Sequence, residues 1–168
     1  EALEERLTKL VMHMLTWRAR QKRKIVNPDK SDLVVYYPGA GLDILRPLYE
    51  TDGRRLIFVD DAKNWGLTPT EALARFQDKI SDFMGHVGEV TTHDKDAYRI
   101  PFKFDGKQRE LIYYFHRDVR HFTPPEMSFG YDVYYSKRAG AFNTPEYLGR
   151  MIDLMRIGGH FLSHNCDL

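Results

Sequence analysis

The chain has 168 residues, of which 42% are hydrophobic and 29% charged, and its formal net charge is +1. This length suits one domain with a substantial core, and the balanced charge excludes both a disordered chain and a strongly basic nucleic-acid-binding protein. The one cysteine, Cys166, cannot form an intramolecular disulfide, which indicates a reducing compartment. No apolar run approaches the roughly 20 residues of a membrane span, and the acidic first residues lack the pattern of a signal peptide. We therefore expect a cytoplasmic protein without a membrane partner.

Residues 1–26 predict an amphipathic helix with a basic end, ahead of a single α/β domain over residues 27–168. Five cations lie within seven residues at the end of this helix. They can contact the phosphates of a nucleic acid weakly, or they can lie in solvent, where cations complement the helix dipole. The nearly neutral chain favours the second interpretation. The apolar face consists of Leu3, Leu7, Leu10, Val11 and Met14, and the cations are Arg18, Arg20, Lys22, Arg23 and Lys24.

Strand-like and helix-like segments alternate from residue 33 onward. The apolar runs 33–37 and 56–59 predict two buried strands of a parallel sheet. The segment between them predicts a helix with Pro47 in its first turn, where proline is tolerated.

The next helix has a clear beginning. Thr68 is its predicted N-cap, Pro69 its first residue and Glu71 the return partner of a capping box. A single short strand is expected after it, at 87–92.

A β-hairpin is predicted in the second half of the chain. Segments 98–104 and 109–115 are strand-like, and Asp105 and Gly106 between them are typical of a hairpin turn. Another buried strand is predicted at 131–135.

The last predicted elements are a helix and a strand. The helix starts near residue 143 and is expected to end at Gly158 and Gly159, and residues 160–163 form the strand. The alternation as a whole predicts an α/β fold in three layers, with a mostly parallel central sheet and an inserted or extended hairpin near 98–115.

The turn after the first strand predicts a ligand site. In α/β sheets, ligands bind at the carboxyl ends of the strands, where the strand order reverses. Gly39 and Gly41 allow a sharp turn and a close approach of a ligand. Asp60 ends the next strand 21 positions after Gly39, near the spacing at which a carboxylate binds ribose hydroxyls. The alternative is that the glycines only make a tight turn and that Asp60 and Asp61 begin a loop.

Two nucleotide-binding patterns are absent from this turn. The third glycine of a dinucleotide fingerprint would stand where the chain has Ile44, which counts against NAD and FAD. No Gly-Lys-Ser/Thr sequence follows, which excludes a P-loop. A ligand with ribose and adenine but without phosphate fits better.

With these features in order, the chain resembles the class I S-adenosylmethionine-dependent methyltransferase family. The resemblance covers roughly residues 30–165 and implies a three-layer Rossmann-like methyltransferase fold, S-adenosylmethionine as cofactor, and methyl transfer to a small-molecule or macromolecular acceptor that it does not identify. It rests on Pro38-Gly39-Ala40-Gly41, Phe58-Val59-Asp60, Arg117-Asp118-Val119, Tyr131-Asp132-Val133-Tyr134-Tyr135, and the segment from Met155 to Leu162.

The resemblance implies roles for the matching residues. Gly39 and Gly41 would lie beneath the methionine and ribose portions of the cofactor, and Asp60 or Asp61 would bind the ribose hydroxyls. Asp118 would lie near the adenine amine. The implied cofactor-binding residues are Tyr37, Gly39, Ala40, Gly41, Asp43, Asp60, Asp61, Asp118, Val119 and Ser136.

The chain departs from the family pattern at two positions of the turn. Tyr37 stands where the family usually has an acidic residue, and Asp43 replaces the third glycine. Asp43 can supply the missing carboxylate or can be the N-cap of the following helix. No Asn-Pro-Pro-Tyr motif follows the fourth strand, and the family's final antiparallel hairpin is not present within these residues.

The catalytic residues remain open at this stage. His116 and Lys137 are candidates for a general base only because both lie near predicted strand ends. Asp118 and His121 lie near His116 in sequence, and His93, Asp94 and Asp96 lie upstream. No spacing brings three ligands together, so no metal site is predicted. The alternative to an enzyme is a non-catalytic Rossmann-like binding or scaffolding module. An exposed fifth strand would then allow a homodimer.

Overall fold

The computed structural model of the chain describes residues 33–163, except 44, 52, 82–85, 105 and 138–143, together with residues 3, 7, 8 and 11. Between residues 33 and 163, the described part contains eight strands, three α-helices and two 3₁₀ helices. The strands are β1 (Val34–Pro38), β2 (Arg55–Val59), β3 (His86–Val87), β4 (Thr91–Asp94), β5 (Ala97–Phe104), β6 (Lys107–Tyr114), β7 (Tyr131–Ser136) and β8 (Met155–Ser163). The helices are α1 (Leu45–Glu50), α2 (Pro69–Ser81) and α3 (Pro145–Leu154), and the 3₁₀ helices span Ala62–Trp65 and Pro125–Phe129.

The eight strands form one mixed sheet whose larger part is parallel. The parallel strands lie in the order β6-β2-β1-β7-β8. On the far side, β5 pairs antiparallel with β6, and both β3 and β4 pair antiparallel with β5. The chain therefore proceeds from β1 to β2 and β6 on one side and returns to β7 on the other. The predicted α/β class with a mostly parallel sheet is confirmed, and the strand order reverses between β1 and β7.

The strands bury both of their faces, so adjacent residues of one strand join different apolar clusters. Tyr37 belongs to a first cluster, to which α1 adds Leu48 and α2 adds Phe76. Tyr36 belongs to a second cluster, to which α3 adds Met151. Continuous burial of this kind explains why β1 and the segments 56–59 of β2 and 133–135 of β7 are apolar or aromatic throughout rather than alternating with polar residues.

The predicted capping box of α2 is confirmed. The hydroxyl of Thr68 accepts from the backbone N–H of Glu71 at 3.3 Å, and the backbone N–H of Thr68 donates to the Glu71 carboxylate at 2.8 Å. These bonds satisfy two of the donors that a helix start leaves open.

The predicted hairpin is confirmed and has a second role in the sheet. β5 and β6 are paired along their whole length, from Ala97 opposite Tyr114 to Phe104 opposite Lys107. The other edge of β6 pairs in parallel with β2. The single short strand predicted at 87–92 is wrong, because the chain forms two separate strands there, β3 and β4, which both use the free edge of β5.

The predicted end of the last helix is also wrong. Helix α3 ends at Leu154, and β8 begins at Met155, so Gly158 and Gly159 lie inside the strand. The pairing of β7 with β8 shifts register around them. Gly159 is required because a Cβ there would lie 2.7 Å from the carbonyl oxygen of Asp132 and would collide with Met155. The glycine pair therefore permits a close approach of two strands rather than a helix stop.

The N-terminal helix is only partly covered by the described residues. Leu3, Leu7, Thr8 and Val11 are helical, Val11 packs against the second cluster, and Leu3 and Leu7 are exposed. The basic segment 18–24 and the predicted boundary between residues 26 and 27 lie outside the described residues. Among the described residues, the helices are too short or too polar to cross a membrane.

We predict that Gly159→Ala lowers the free energy of unfolding by about 1–3 kcal/mol, because the added methyl group overpacks the contact between β7 and β8. The matched control is Gly149→Ala in α3, where no atom lies within 4 Å of the added Cβ. The control should gain about 0.5–1 kcal/mol from the better helix propensity of alanine. Urea denaturation measures both variants, and equal stability of the two would contradict the packing argument.

Candidate functional site

The turn between β1 and α1 lies at the carboxyl ends of the parallel strands. Gly39 and Gly41 have φ values of 64° and 56°, a left-handed conformation that strains any residue with a Cβ. The backbone N–H of Gly39 donates to the carbonyl of Val59 at the end of β2, at 2.8 Å. The turn is therefore attached directly to the neighbouring strand.

The carboxylate of Asp60 is bonded to this turn. One oxygen, Oδ2, accepts from the backbone N–H of Gly41 at 2.7 Å, and the other, Oδ1, accepts from the N–H of Asp61 at 2.7 Å. Burial raises the pKa of Asp60, and the two backbone bonds only partly offset this effect. The predicted proximity of the glycine turn and the Asp60 carboxylate is thus present, in the form of a direct bond between them.

Two side chains that the sequence analysis did not single out for the site also fix the turn. The phenol of Tyr113, on β6, donates to the carbonyl of Gly41 at 2.5 Å. The ammonium of Lys79, on α2, donates to the carbonyl of Leu42 at 2.6 Å. Both partners are backbone carbonyls far away in sequence, so no local motif could have identified these contacts.

Asp43 bonds to two side chains beside the turn. Its carboxylate accepts from the phenol of Tyr37 at 3.2 Å and pairs with the ammonium of Lys137 at 3.1 Å. Burial, together with the neighbouring carboxylate, raises the pKa of the Tyr37 phenol. The two departures from the family pattern, Tyr37 and Asp43, are therefore bonded to each other. Through Lys137 they also connect the ends of β1 and β7.

A cavity of about 530 Å³ opens at this turn. It brings together six of the predicted cofactor-binding residues with Lys79, Lys137 and the indole of Trp65. The six residues are Tyr37, Gly39, Ala40, Gly41, Asp43 and Asp60.

A second cavity, of about 400 Å³, lies on the other side of Asp60. It brings Asp60 and Asp61 together with Asp118 and Val119, as the sequence predicted. Asp118 is half-exposed and pairs with Arg120 at 3.2 Å, and this bonded guanidinium lowers the pKa of the carboxyl. Asp60 is the residue that lines both cavities.

Of three further predicted residues, two line neither cavity and the third is paired with Asp43. Ser136 is buried at the end of β7 and lines neither cavity. The ring of His116 contacts the carbonyl of Leu67 at 3.4 Å and lines neither cavity. Lys137 lines the first cavity, where it pairs with Asp43. His116 is therefore poorly placed to act as a base in these cavities.

The histidines near β4 and β6 do not assemble a metal centre in the described part of the chain, where no group of three or more His, Cys, Asp or Glu residues could hold an ion. His93 instead bonds to Glu126, which also accepts from the phenol of Tyr114 at 2.9 Å. This cluster attaches the second 3₁₀ helix to the hairpin.

No protein-family model matches the sequence, and no curated protein matches it.

We predict that Asp60→Asn lowers the free energy of unfolding by about 1–2 kcal/mol, because an amide oxygen cannot replace both carboxylate acceptors. The loss should depend on pH. The pKa of Asp60 in the folded state lies above its ordinary value of 3.8, so the folded state holds the proton more tightly than the unfolded state. The wild type therefore loses stability as the pH rises from the ordinary pKa through the folded-state pKa, whereas the asparagine variant does not. The wild type should therefore exceed the variant by more at about pH 4 than at about pH 7.

Urea denaturation at both pH values tests this prediction. Asp78→Asn, at an exposed position of α2, removes the same charge and should change stability by less than about 0.5 kcal/mol at either pH. An advantage of the wild type that grows with rising pH would show that Asp60 is stabilised as an anion, contrary to the prediction.

Proposed function

We propose that the chain binds S-adenosylmethionine at the glycine turn and transfers its methyl group to an acceptor. The observation that supports this function best is the arrangement of two cavities on either side of the Asp60 carboxylate, at the carboxyl ends of the parallel strands. This is the place where open α/β sheets bind their ligands, because the strand order reverses between β1 and β7. The order β6-β2-β1-β7-β8 is compatible with the three-layer Rossmann-like methyltransferase fold that the resemblance implies.

The two cavities suit the two ends of an adenosyl ligand. Small-molecule sites usually have volumes of about 300–1,000 Å³, and the cavities of about 530 and 400 Å³ are in this range. In this proposal, the adenine lies beside Asp118 and Val119 and the amino-acid portion lies along the glycine turn. Lys79 and Lys137 place two cations at that end, where they complement a carboxylate.

The Asp60 carboxylate retains the capacity to bind a ribose. Its two oxygens offer about four acceptor positions, and the backbone N–H groups of Gly41 and Asp61 occupy two of them. The same bonds fix the orientation of the carboxylate before a ligand arrives, which reduces the entropy that binding would cost.

The residues of the site would contribute by positioning. When bound, the cofactor would supply a methyl group on a sulfonium sulfur, and an acceptor nucleophile would attack the methyl carbon in line while S-adenosylhomocysteine leaves with the electrons of the broken carbon–sulfur bond. Catalysis of such a transfer depends mainly on alignment of donor and acceptor. The Asp60–Gly41 bond and the Lys79–Leu42 bond hold the floor of the first cavity in one conformation. The acceptor remains unidentified, and the proposal assigns no general base.

A second candidate function is a non-catalytic binding or scaffolding module. It is favoured by the internal bonds of Asp60 and of Asp43, which give both carboxylates partners within the chain in the absence of a ligand. In the described part of the sheet, β8 is also a terminal strand that pairs with β7 alone, and its Ile157 is 48% exposed. Such an edge supports pairing of two copies into a homodimer.

We predict that S-adenosylmethionine and S-adenosylhomocysteine raise the melting temperature and that this shift is smaller in Asp118→Ala, whereas any shift with NAD or ATP is the same in both proteins. A ligand at about 100 times its Kd stabilises the native state by about 2.7 kcal/mol, which is readily measured in a thermal-shift experiment. Asp118→Ala should weaken binding of S-adenosylhomocysteine about tenfold in calorimetric titration, because a charge-assisted bond to the adenine amine is lost.

The choice of Asp118 separates binding from folding, since its side chain is 45% exposed and bonds only to Arg120 among the described residues. Asp153→Ala, at an exposed position of α3, is the matched control and should leave the affinity unchanged. Stabilisation by neither adenosyl compound would reject the cofactor site and favour the scaffolding module. Stabilisation by all four compounds that Asp118→Ala reduces to the same extent would indicate an unspecific nucleotide site.

A further inference from the structure

Four arginines converge on a cavity at the opposite end of the sheet from the proposed cofactor site. This cavity has a volume of about 420 Å³. We call it the arginine cavity, and its charged lining residues are Arg54, Arg55, Arg109, Arg156 and Glu110. The lining thus contains four arginines and one carboxylate, although the chain as a whole carries a formal charge of only +1.

The arginine cavity is formed by the beginnings of parallel strands. Val34 at the start of β1 is in register with Arg55 at the start of β2, and Arg55 is in register with Glu110 near the start of β6. The glycine turn and Asp60 follow the ends of β1 and β2. The two regions share no lining residue, so occupation of one does not require the other.

Glu110 orients the cationic groups rather than neutralising them. Its Oε1 pairs with Nε of Arg55 at 2.7 Å, and its Oε2 lies 3.6 Å from Nε of Arg99. Both contacts use the inner nitrogen of a guanidinium, which has five N–H donors in a fixed plane. The outer nitrogens of Arg55 make no ion pair with a described residue and remain available for an anion.

The other arginines differ in how firmly they are held. Arg109 is buried, lies over the ring of Phe104 at 5.2 Å and donates to the carbonyls of Leu48 and Thr51 at 3.4 Å, so it contributes a fixed positive charge beside the cavity rather than a free donor. Arg156 pairs with Asp132 at 3.5 Å, and its buried Nε has no hydrogen-bond partner among the described residues. Arg54 is exposed at the rim and has no ion pair within the described chain.

From these contacts we propose that the arginine cavity binds the phosphate group of a small phosphorylated molecule. The lining therefore carries an excess of positive charge, which a bound anion would offset. A phosphate offers more acceptor oxygens than a carboxylate and therefore suits several guanidinium groups that approach from different strands. The volume of the cavity leaves space for a small organic group attached to the phosphate.

The test is calorimetric titration of the whole chain with inorganic phosphate and pyrophosphate, at constant ionic strength, with citrate as the carboxylate comparison. We expect saturable binding of one phosphate or pyrophosphate per chain and weaker binding of citrate. Arg54→Gln should reduce the affinity about tenfold, because one charge-assisted contact is lost. Arg75→Gln, at an exposed position of α2, removes the same charge elsewhere and should leave the affinity unchanged.

Several results would overturn the proposal. An equal loss of affinity in both variants would show that phosphate responds only to net charge. Tighter binding of citrate than of phosphate would assign the cavity to carboxylates, and displacement of pyrophosphate by an oligonucleotide at much lower concentration would assign it to a nucleic acid. If Arg54→Gln does not fold, Arg55→Gln provides the same comparison. Binding of S-adenosylhomocysteine should be unchanged in the arginine variants, so that this proposal and the proposed function can fail separately.

Discussion

The bond between the Asp60 carboxylate and the backbone N–H of Gly41 is the interaction on which the rest of the site depends. It joins the residue that ends β2 to the turn that ends β1, and it holds a glycine in a left-handed conformation from outside the turn. Tyr113 and Lys79 bind the adjacent carbonyls and complete this attachment. The turn is therefore fixed by Asp60 and by side chains of β6 and α2 as well as by its own glycines, and it lines the first cavity.

The contacts around Asp60 also create a conflict that a ligand would have to resolve. Burial disfavours the charged carboxylate, whereas the backbone donors favour it. A polar ligand that donates further hydrogen bonds to the carboxylate would shift this balance toward the anion. Preorganised polar groups of this kind are common where proteins bind ligands, and they differ from ordinary buried contacts because they are incompletely compensated.

The sequence allowed prediction of those features that local chemistry determines. The capping box at Thr68 and Glu71, the buried strands and the hairpin around residue 106 follow from short patterns whose partners are close in sequence. The contact of Tyr113 with Gly41 could not be predicted, because its partners are 72 positions apart and one of them is a backbone carbonyl. Gly158 and Gly159 misled the prediction, since glycine is favoured both after a helix and where two strands approach closely. The arginine cavity could not be predicted from the sequence, because its charged residues come from three strands and a loop and no short segment contains all of them.

The double role of β6 has a consequence for the order in which the chain folds. The pairing of β6 with β5 joins residues that are near in sequence. The pairing of β6 with β2 joins the distant residues Arg55 and Glu110, and the pairing of β1 with β7 joins Val35 and Val133, which are still farther apart. Hairpins form within about 1–10 μs, whereas the closure of long loops carries an entropic cost that slows folding. We therefore expect the hairpin to act as a template on which β2 assembles, with association of β1 and β7 as the slow step that limits the folding rate.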